Sequence, residues 1–444
     1  MSDGANTPTP LQELQKAFCL FFLNSECRIG DLRQIHDICR GHAASDLSLY
    51  RPADAKVLLE RHLETLPFPG DTAKVIAEFK RSPMTTVYRA TAFSPKAEPS
   101  DTLNLWSPSP VAPVPGNCSE ILKFLREVIC DGDGACFDYL IKYLAHMLCV
   151  PEEKPGVMIV LLGGQGTGKG TFFKLLEAIW PHTLLQVSDV DHVTGSFNAA
   201  LERSYVVCMD EALFSGDKKS LDRLKSTVTE GKVTIEQKYQ PRRTIASYHR
   251  IFAASNHKHF AHVDPDDRRF VFLSLPPTHQ GDHVYWKQLH AAVEDRAVIE
   301  AFVHALVSTD LTAFNVRSRP KTPTHIDQKL RSLGGFERWW YETLQGNDSG
   351  EFDLPLASPT KAGQQFVGTT TLLHMWQDHF KGHRSHAPAQ LREIREAMSR
   401  ICPSAKYKRQ LRGTKQQRGF DLPTLTRARS EFEKFLGGPI DWMK

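Results

Sequence analysis

The segment VMIVLLGGQGTGKGTFFKLLEAIW, residues 157–180, constrains the fold of this chain more than any other. It joins an apolar run of strand length to a helical pattern through a glycine-rich loop. Gly163, four further residues, Gly168 and Lys169 have the spacing of a P-loop, in which backbone N–H groups surround phosphate oxygens and the lysine neutralises their charge. The segment therefore predicts an α/β domain that binds a nucleotide.

The predicted nucleotide-binding residues are consecutive: Gly163, Gly164, Gln165, Gly166, Thr167, Gly168, Lys169, Gly170 and Thr171. A hydroxyl that binds Mg²⁺ normally follows the lysine, and Gly170 lacks it. Thr171 is the candidate replacement: either its hydroxyl moves in to bind Mg²⁺, or it contacts another phosphate while water completes the metal shell. GKGT also occurs in adenylate-kinase-like loops, so this loop alone does not distinguish a nucleotide kinase from a motor.

Two adjacent carboxylates, Asp210 and Glu211, end the second apolar run, YVVCMDE. Such a pair supplies one carboxylate to hold Mg²⁺, usually through water, and one to polarise the attacking water. Asn256 ends the third run, YHRIFAASN, where its amide could position that water against the γ-phosphate. A helix-capping role is the alternative for the carboxylate pair.

A fourth run, RRFVFLSL, completes the set of strand-length segments with helices between them. This alternation predicts a mostly parallel sheet, and polar residues at the carboxyl ends of its strands lie where such sheets bind ligands.

The segment EGKVTIEQKYQPRRTIASYHR alternates in strand fashion on both sides of a QPRR turn. It predicts a hairpin with a basic tip that carries Lys238, Tyr239, Arg242 and Arg243. Such a tip can hold a phosphodiester backbone, because the cations neutralise phosphates and the ring stacks on bases. A solvated surface hairpin is the alternative.

Arg268 and Arg269 stand beside acidic residues in DPDDRRF. As surface ion pairs they would contribute little to stability. In a ring of subunits, an arginine at the boundary can instead reach the neighbour's γ-phosphate and stabilise transition-state charge. One of the two residues is enough for that role.

Composition and periodicity divide the chain into five parts. They are a helical region over residues 1–81, a proline-rich connector over 82–116, a helical lead-in over 117–153, the α/β core over 154–310 and a C-terminal domain over 330–444. The last part is predicted to be a small α or winged-helix-like domain. Its basic stretch, KYKRQLRGTKQQRGF, either touches DNA or is a solvated face.

The cysteine content indicates a cytoplasmic protein, whereas the overall charge does not identify a binding partner. A net charge of +4 is too small to indicate a nucleic-acid partner by itself. Nine cysteines without a CxxC pair fit a reducing compartment. Neither a membrane span nor a signal peptide is predicted, so we expect no membrane partner.

Taken in order, GGQGTGKGT, VVCMDE, GKVTIEQKYQPRR, FAASN and DDRRF resemble the motifs of a superfamily 3 helicase. The similarity is to the phage and plasmid group related to the poxvirus-type primase-helicase. NLWSPSP and DYLIKYLAHML resemble that group's lead-in, and FDLPTLTRARSEFEKFLG resembles its C-terminal tail. The resemblance covers roughly residues 100–444.

The resemblance implies an AAA+-like ATPase that uses ATP and Mg²⁺. It implies a homo-oligomer, a hexameric ring around single-stranded DNA, which unwinds duplex at replication forks or origins together with other replication proteins. A phage-encoded member would act in the host cytoplasm. The implied roles are Lys169 and Thr171 in the phosphate loop, Asp210 and Glu211 in the carboxylate motif, Lys238 in a channel-facing hairpin, Asn256 as the sensor, and Arg268 or Arg269 as the arginine finger.

Two other functions stay open. A nucleotide kinase would need an acceptor-nucleotide site with an arginine-rich lid, and it would give no role to Asn256 or the basic hairpin. An origin-assembly ATPase that binds DNA without unwinding it is compatible with the basic hairpin and with a helical N-terminus.

Overall fold

The structure is a computed structural model of the chain. It describes residues 8–23, 26–39, 47–67, 70–195, 198–211, 218–236, 242–346, 352, 354, 358–359, 365–379, 391–412 and 415–442. The chain forms two compact units, the first from Met1–Ala212, Asp222–Asn256 and Ser274–Ser318 and the second from Leu213–Leu221, His257–Leu273 and Arg319–Lys444. No helix in the described ranges is long and apolar enough to cross a bilayer.

The first unit begins with a small sheet that is covered by helices. Its elements are α1 (Pro10–Ala17), β1 (Phe18–Leu23), β2 (Glu26–Asp31), α2 (Leu32–Cys39), β3 (Leu49–Tyr50), α3 (Pro52–Glu64), α4 (Thr72–Arg81), β4 (Val87–Tyr88), β5 (Ala90–Ala92) and β6 (Thr102–Asn104). The sheet order is β3-β2-β1-β4, with β1 antiparallel to β2 and parallel to β4. β5 and β6 form a separate parallel pair.

The prediction of a purely helical region over residues 1–81 is wrong, because the run FCLFFL forms β1. Phe18 and Leu20 pack into one apolar cluster with α1, α3 and α4, whereas Cys19 and Phe21 pack into another with α2. A strand buried on both faces is apolar throughout, so its period of two is hidden in the sequence. Aromatic residues also favour the pleated surface of a strand.

The predicted connector over residues 82–116 is wrong in its first part. β4 joins the sheet beside β1, and Leu103 and Leu105 are buried against Cys19 and Phe21. The later stretch, SPSPVAPVPG, contains no helix or strand. Proline removes backbone donors, which explains why strand pairing ends before this stretch.

The α/β core follows. Its elements are α5 (Ser119–Phe124), a π-helical turn (Leu125–Ile129), α6 (Gly134–Cys149), β7 (Met158–Leu162), α7 (Lys169–Ile179), β8 (Leu184–Val187), α8 (Asp191–Thr194), a 3-10 turn (Ala199–Arg203), β9 (Val206–Met209), α9 (Lys218–Thr229), β10 (Lys232–Ile235), β11 (Arg243–Ala246), β12 (Arg250–Ser255), β13 (Phe270–Ser274), α10 (His283–Glu294) and α11 (Arg296–Val307).

Five strands form one parallel sheet in the order β13-β7-β12-β9-β8. Every residue of β7, β9 and β12 is buried, as expected for central strands covered on both faces. The prediction of an α/β fold with a mostly parallel sheet is therefore confirmed. The order brings the carboxyl ends of β7, β12 and β9 side by side.

The second unit ends in an aromatic-rich α+β arrangement. Its elements are α12 (Pro323–Ser332), α13 (Gly335–Gln345), β14 (Ser358–Pro359), β15 (Gln365–Gly368), α14 (Thr369–His379), α15 (Leu391–Ile401), β16 (Lys406–Arg412), β17 (Lys415–Leu422) and α16 (Leu425–Leu436). The strands form an antiparallel sheet in the order β14-β15-β17-β16. Its core includes Trp340, Leu372, Ile394, Met398 and Phe432.

Candidate functional site

The glycine-rich loop lies between the carboxyl end of β7 and the start of α7. Gly166 and Gly168 have φ angles of +75° and +104°, which residues with a side chain rarely adopt. A Cβ on Gly168 would also lie 2.8 Å from the Trp286 ring and 3.1 Å from the Phe124 ring. The loop therefore requires glycine at residue 168 for both its backbone conformation and its packing.

Lys169 is the first residue of α7 and is buried, with 8% of its surface exposed. Its Nζ donates hydrogen bonds to the carbonyl oxygens of Gly163 and Gly164, at 2.7 and 2.6 Å. Burial lowers the pKa of Lys169, and the nearby charges of Asp210 and Glu211 partly oppose that effect. The two carboxylates therefore lie within electrostatic reach of the loop lysine.

Asp210 and Glu211 directly follow β9. The Asp210 N–H donates to the Val187 carbonyl at 2.8 Å, and the Asp210 carboxylate accepts from the Glu211 N–H at 3.0 Å. Glu211 is exposed and has a φ of +54°, a left-handed conformation that is rare outside glycine. Backbone strain of this kind costs about 1–3 kcal/mol and concentrates at functional sites.

Asn256 follows β12, the strand between β7 and β9. The Ser255 carbonyl accepts a hydrogen bond from the Gly163 N–H at 3.2 Å, so the end of β12 contacts the beginning of the loop. Ser255 is fully buried, whereas Asn256 is exposed. The three strand ends therefore bring the loop, the carboxylate pair and the amide to one edge of the sheet.

Helix α10 and the segment before it cover the loop, a feature that the sequence analysis missed. Thr171 Oγ1 lies 3.0 Å from His290 Nε2, and Gln280 Nε2 donates to the Gln165 carbonyl at 3.0 Å. Trp286 lies against the loop at Gly168. No sequence motif marks these contacts, because they join segments more than a hundred residues apart. The Thr171 hydroxyl thus has a protein partner, and its predicted metal role stays a prediction.

The predicted basic hairpin has a paired base. β10 and β11 are antiparallel, with Ile235 opposite Arg243 at the end nearest the tip. Lys238 and Tyr239, the predicted tip residues, lie outside the described residues. Arg242 is exposed, and its Nε lies 3.0 Å from the Glu236 carboxylate.

Buried polar groups anchor this hairpin base within the first unit. Asn198 Nδ2 donates to the Thr234 carbonyl at 3.0 Å, and Asn198 Oδ1 accepts from the Glu236 N–H at 2.9 Å. After β11, Ser247 Oγ lies 2.6 Å from Lys154 Nζ and 2.8 Å from His249 Nδ1. Burial lowers the pKa of Lys154 to about 7 and that of His249 to about 3.

The two candidate finger arginines differ in their surroundings within the second unit. Arg269 donates its backbone N–H to the buried Asp267 carboxylate at 2.8 Å, and its Nη1 lies 3.3 Å from the same carboxylate. Arg268 is exposed and forms no ion pair within the described ranges. Arg269 therefore has a local structural role, and Arg268 is the side chain available to another molecule.

Two comparisons of the sequence find similar proteins. Residues 161–269 match the model of a family of unknown function (DUF5906), and these residues include the loop, the carboxylate pair, the hairpin, Asn256 and both arginines. The chain is 29% identical over 175 residues to the DNA primase-polymerase of Nitratiruptor phage NrS-1, covering 38% of this chain and 24% of that protein. The aligned part is thus about a quarter of that relative's length.

Solved structures of the NrS-1 C-terminal region are similar in fold to nearly the whole chain. The apo structure of residues 305–718 has a TM-score of 0.64 and 17% identity, covering 93% of this chain and 99% of that one. The A form apo structure has a TM-score of 0.65 and 16% identity, covering 92% and 98%. At these identities the similarity is one of fold.

Proposed function

We propose that this chain is an ATP-dependent DNA helicase that acts in the replication of a phage or other mobile element. The observation that carries the proposal is the meeting of the glycine loop, Asp210, Glu211 and Asn256 at one edge of the parallel sheet. The similarity in sequence and fold to a phage DNA primase-polymerase and its C-terminal region supports a replication role.

The loop fits the phosphates of ATP. Gly166 and Gly168 supply the left-handed backbone that curves the loop, and Lys169 is positioned by two loop carbonyls at the start of a helix, where anions bind favourably. Asp210 supplies the carboxylate oxygens that Mg²⁺ prefers. When bound, Mg²⁺ neutralises charge on the β- and γ-phosphates.

Each of the chain's own residues then has a separate role in hydrolysis. Lys169 neutralises phosphate charge, Glu211 accepts a proton from the attacking water, and Asn256 orients that water. The exposed Arg268 would stabilise transition-state charge at the ATP site of a neighbouring subunit. The site is then complete only in a ring of subunits, and we propose a hexamer.

The hairpin formed by β10 and β11 would carry single-stranded DNA through its tip residue Lys238. Its base is tied to the ATPase sheet by Asn198 and by the Lys154–Ser247–His249 contacts, which lie before the amino ends of β7 and β12, so a movement of these strands would reach the tip. Phosphate contacts of this kind are independent of base sequence and suit translocation.

The first experiment measures ATP hydrolysis with and without single-stranded DNA. Lys169→Ala should abolish hydrolysis, whereas Lys174→Ala, an exposed lysine on the same helix, should leave it unchanged. DNA should stimulate the wild-type rate. Hydrolysis indifferent to DNA, or phosphate transfer to added AMP, would refute the proposal and favour a nucleotide kinase.

The second experiment separates a helicase from an origin-assembly ATPase by displacement of a labelled strand from a forked duplex. Lys238→Ala should remove both displacement and DNA stimulation while basal hydrolysis remains. Lys232→Ala, an exposed lysine at the hairpin base, is the matched control and should retain displacement. Wild-type hydrolysis without displacement, or a protein that stays monomeric with ATP and DNA, would contradict the proposal.

A further inference from the structure

With the short β14 and the final helix α16 set aside, the end of the second unit has the element order helix, strand, helix, helix, strand, strand. These elements are α13, β15, α14, α15, β16 and β17, and the three strands pair antiparallel in the order β15-β17-β16. Leu372 of α14 packs with Ile394 and Met398 of α15 in one core. Two packed helices followed by a β-hairpin is an arrangement in which one helix can enter a DNA groove while the hairpin reaches the backbone.

One face of this hairpin carries two arginines directly opposite each other. Arg409 on β16 pairs in register with Arg418 on β17, and both side chains are exposed. Neither arginine has a carboxylate partner within the described part of the unit. Like charges at directly opposed positions destabilise a hairpin, so the free protein maintains an unfavourable contact here.

Two of the other cations nearby are paired with carboxylates. On the opposite face of β16, Lys408 Nζ lies 2.6 Å from the Asp421 carboxylate. On α15, Arg392 pairs with Glu396 at 2.6 Å. Among the described residues of the hairpin, the face of Arg409 and Arg418 therefore carries two directly opposed unpaired arginines, whereas on the opposite face Lys408 is paired and Lys406 is exposed.

Helix α15 continues that charged face. The guanidinium carbon of Arg395 lies 4.5 Å from the centre of the Tyr407 ring, and Tyr407 is 38% exposed. Tyr407 and Arg409 alternate along β16 and so share a face. We call the surface formed by Arg395, Tyr407, Arg409 and Arg418 the arginine face.

We propose that the arginine face is a second DNA-binding site, which holds the phosphate backbone of double-stranded DNA. Guanidinium groups match phosphate geometry bidentately, and a polyanion relieves the repulsion between Arg409 and Arg418. Leu411, on the same face of β16 and 67% exposed, extends the site with an apolar contact for the sugar edge. The helix α15 is then placed to lie along the major groove, which admits one α-helix.

This site acts without nucleotide, so it is tested apart from the proposed ATPase activity. Binding of the full chain to a fluorescent 20-base-pair duplex is measured by anisotropy, without ATP, over a salt series. The Arg409→Ala/Arg418→Ala double variant should weaken binding about tenfold or more and reduce the salt slope by about two, since each lost phosphate contact lowers it by about 0.9. Lys406→Ala, on the same strand and the opposite face, is the matched control and should change binding little.

Two further readouts keep the result specific. The double variant should unfold at the same or a higher temperature, because it removes the repulsion between Arg409 and Arg418, and its ATP hydrolysis should still be stimulated by single-stranded DNA. Lys238→Ala should keep duplex binding. Unchanged duplex binding in the double variant would overturn the proposal, as would an equal loss in Lys406→Ala. Unlabelled polyglutamate and unlabelled duplex of equal charge are also compared as competitors of the labelled duplex. If polyglutamate competes as effectively as the duplex, the partner is an acidic protein and the proposal is overturned.

Discussion

Alanine at Gly168 and alanine at Gly170 should have opposite effects, although the two glycines are only two residues apart. Gly168 has a φ of +104°, and its Cβ would lie 2.8 Å from the Trp286 ring. The left-handed backbone costs about 1–2 kcal/mol, and overpacking costs about 1–3 kcal/mol. Gly168→Ala should therefore lose about 2–5 kcal/mol of loop stability. A Cβ on Gly170 has no neighbour within 4 Å, so Gly170→Ala should gain about 0.5–1 kcal/mol from helix propensity.

Equilibrium binding of a fluorescent ATP analogue and thermal unfolding, measured on both variants, test this difference. Strain in the loop opposes the conformation that surrounds phosphate, and each 1.4 kcal/mol corresponds to about a tenfold change in affinity. Gly168→Ala should bind the analogue at least about tenfold more weakly and unfold at a lower temperature. Gly170→Ala should bind like the wild type and unfold at the same or a higher temperature. Equal binding by the two variants would refute the geometric argument for the loop.

Three further outcomes are expected. Glu211→Gly and Glu211→Gln should both lose hydrolysis, but the glycine variant should melt higher because it relieves the left-handed backbone; equal melting temperatures would contradict that strain. Gly170→Ser should lower the Mg²⁺ concentration needed for half-maximal hydrolysis, and Gly170→Ala should not; a Mg²⁺ titration checks both. The pKa of Lys154 is about 7 in the folded chain against 10.5 ordinarily, so the unfolded chain binds more protons between these values and stability should rise with pH across that window. Lys154→Met should reduce this rise in stability, which thermal unfolding at about pH 7 and about pH 9 measures. If the variant gains as much stability between these pH values as the wild type does, the lowered pKa of Lys154 is refuted.

The parallel sheet was predictable because its signals are local. Each central strand is a short apolar run that ends in polar residues, and a parallel sheet brings such ends to one edge. Asp210 and Asn256 follow from this rule without any knowledge of distant contacts. The base of the hairpin was predictable for a similar reason, since alternation on both sides of a turn is a local pattern.

Other features depend on contacts that the sequence does not display. β1 was not recognised because both of its faces are buried, which removes the alternation that marks a strand. His290 and Trp286 reach the loop from a helix more than a hundred residues away. The choice between Arg268 and Arg269 depends on which of them pairs with Asp267. Because the two neighbouring arginines are equivalent in the sequence, the sequence does not show which one forms this pair.

The strand order also determines when the sheet can form during synthesis. β7 and β12 are neighbours in the sheet, yet roughly ninety residues separate them in the chain. At about 5–20 residues per second, the ribosome needs about 5–20 seconds to produce the partner that β7 requires. The apolar strand MIVLL stays without its central neighbour for that time, and parallel pairing over such separations is slow. Production of this protein should therefore depend on translation speed and on chaperones that shield nascent strands.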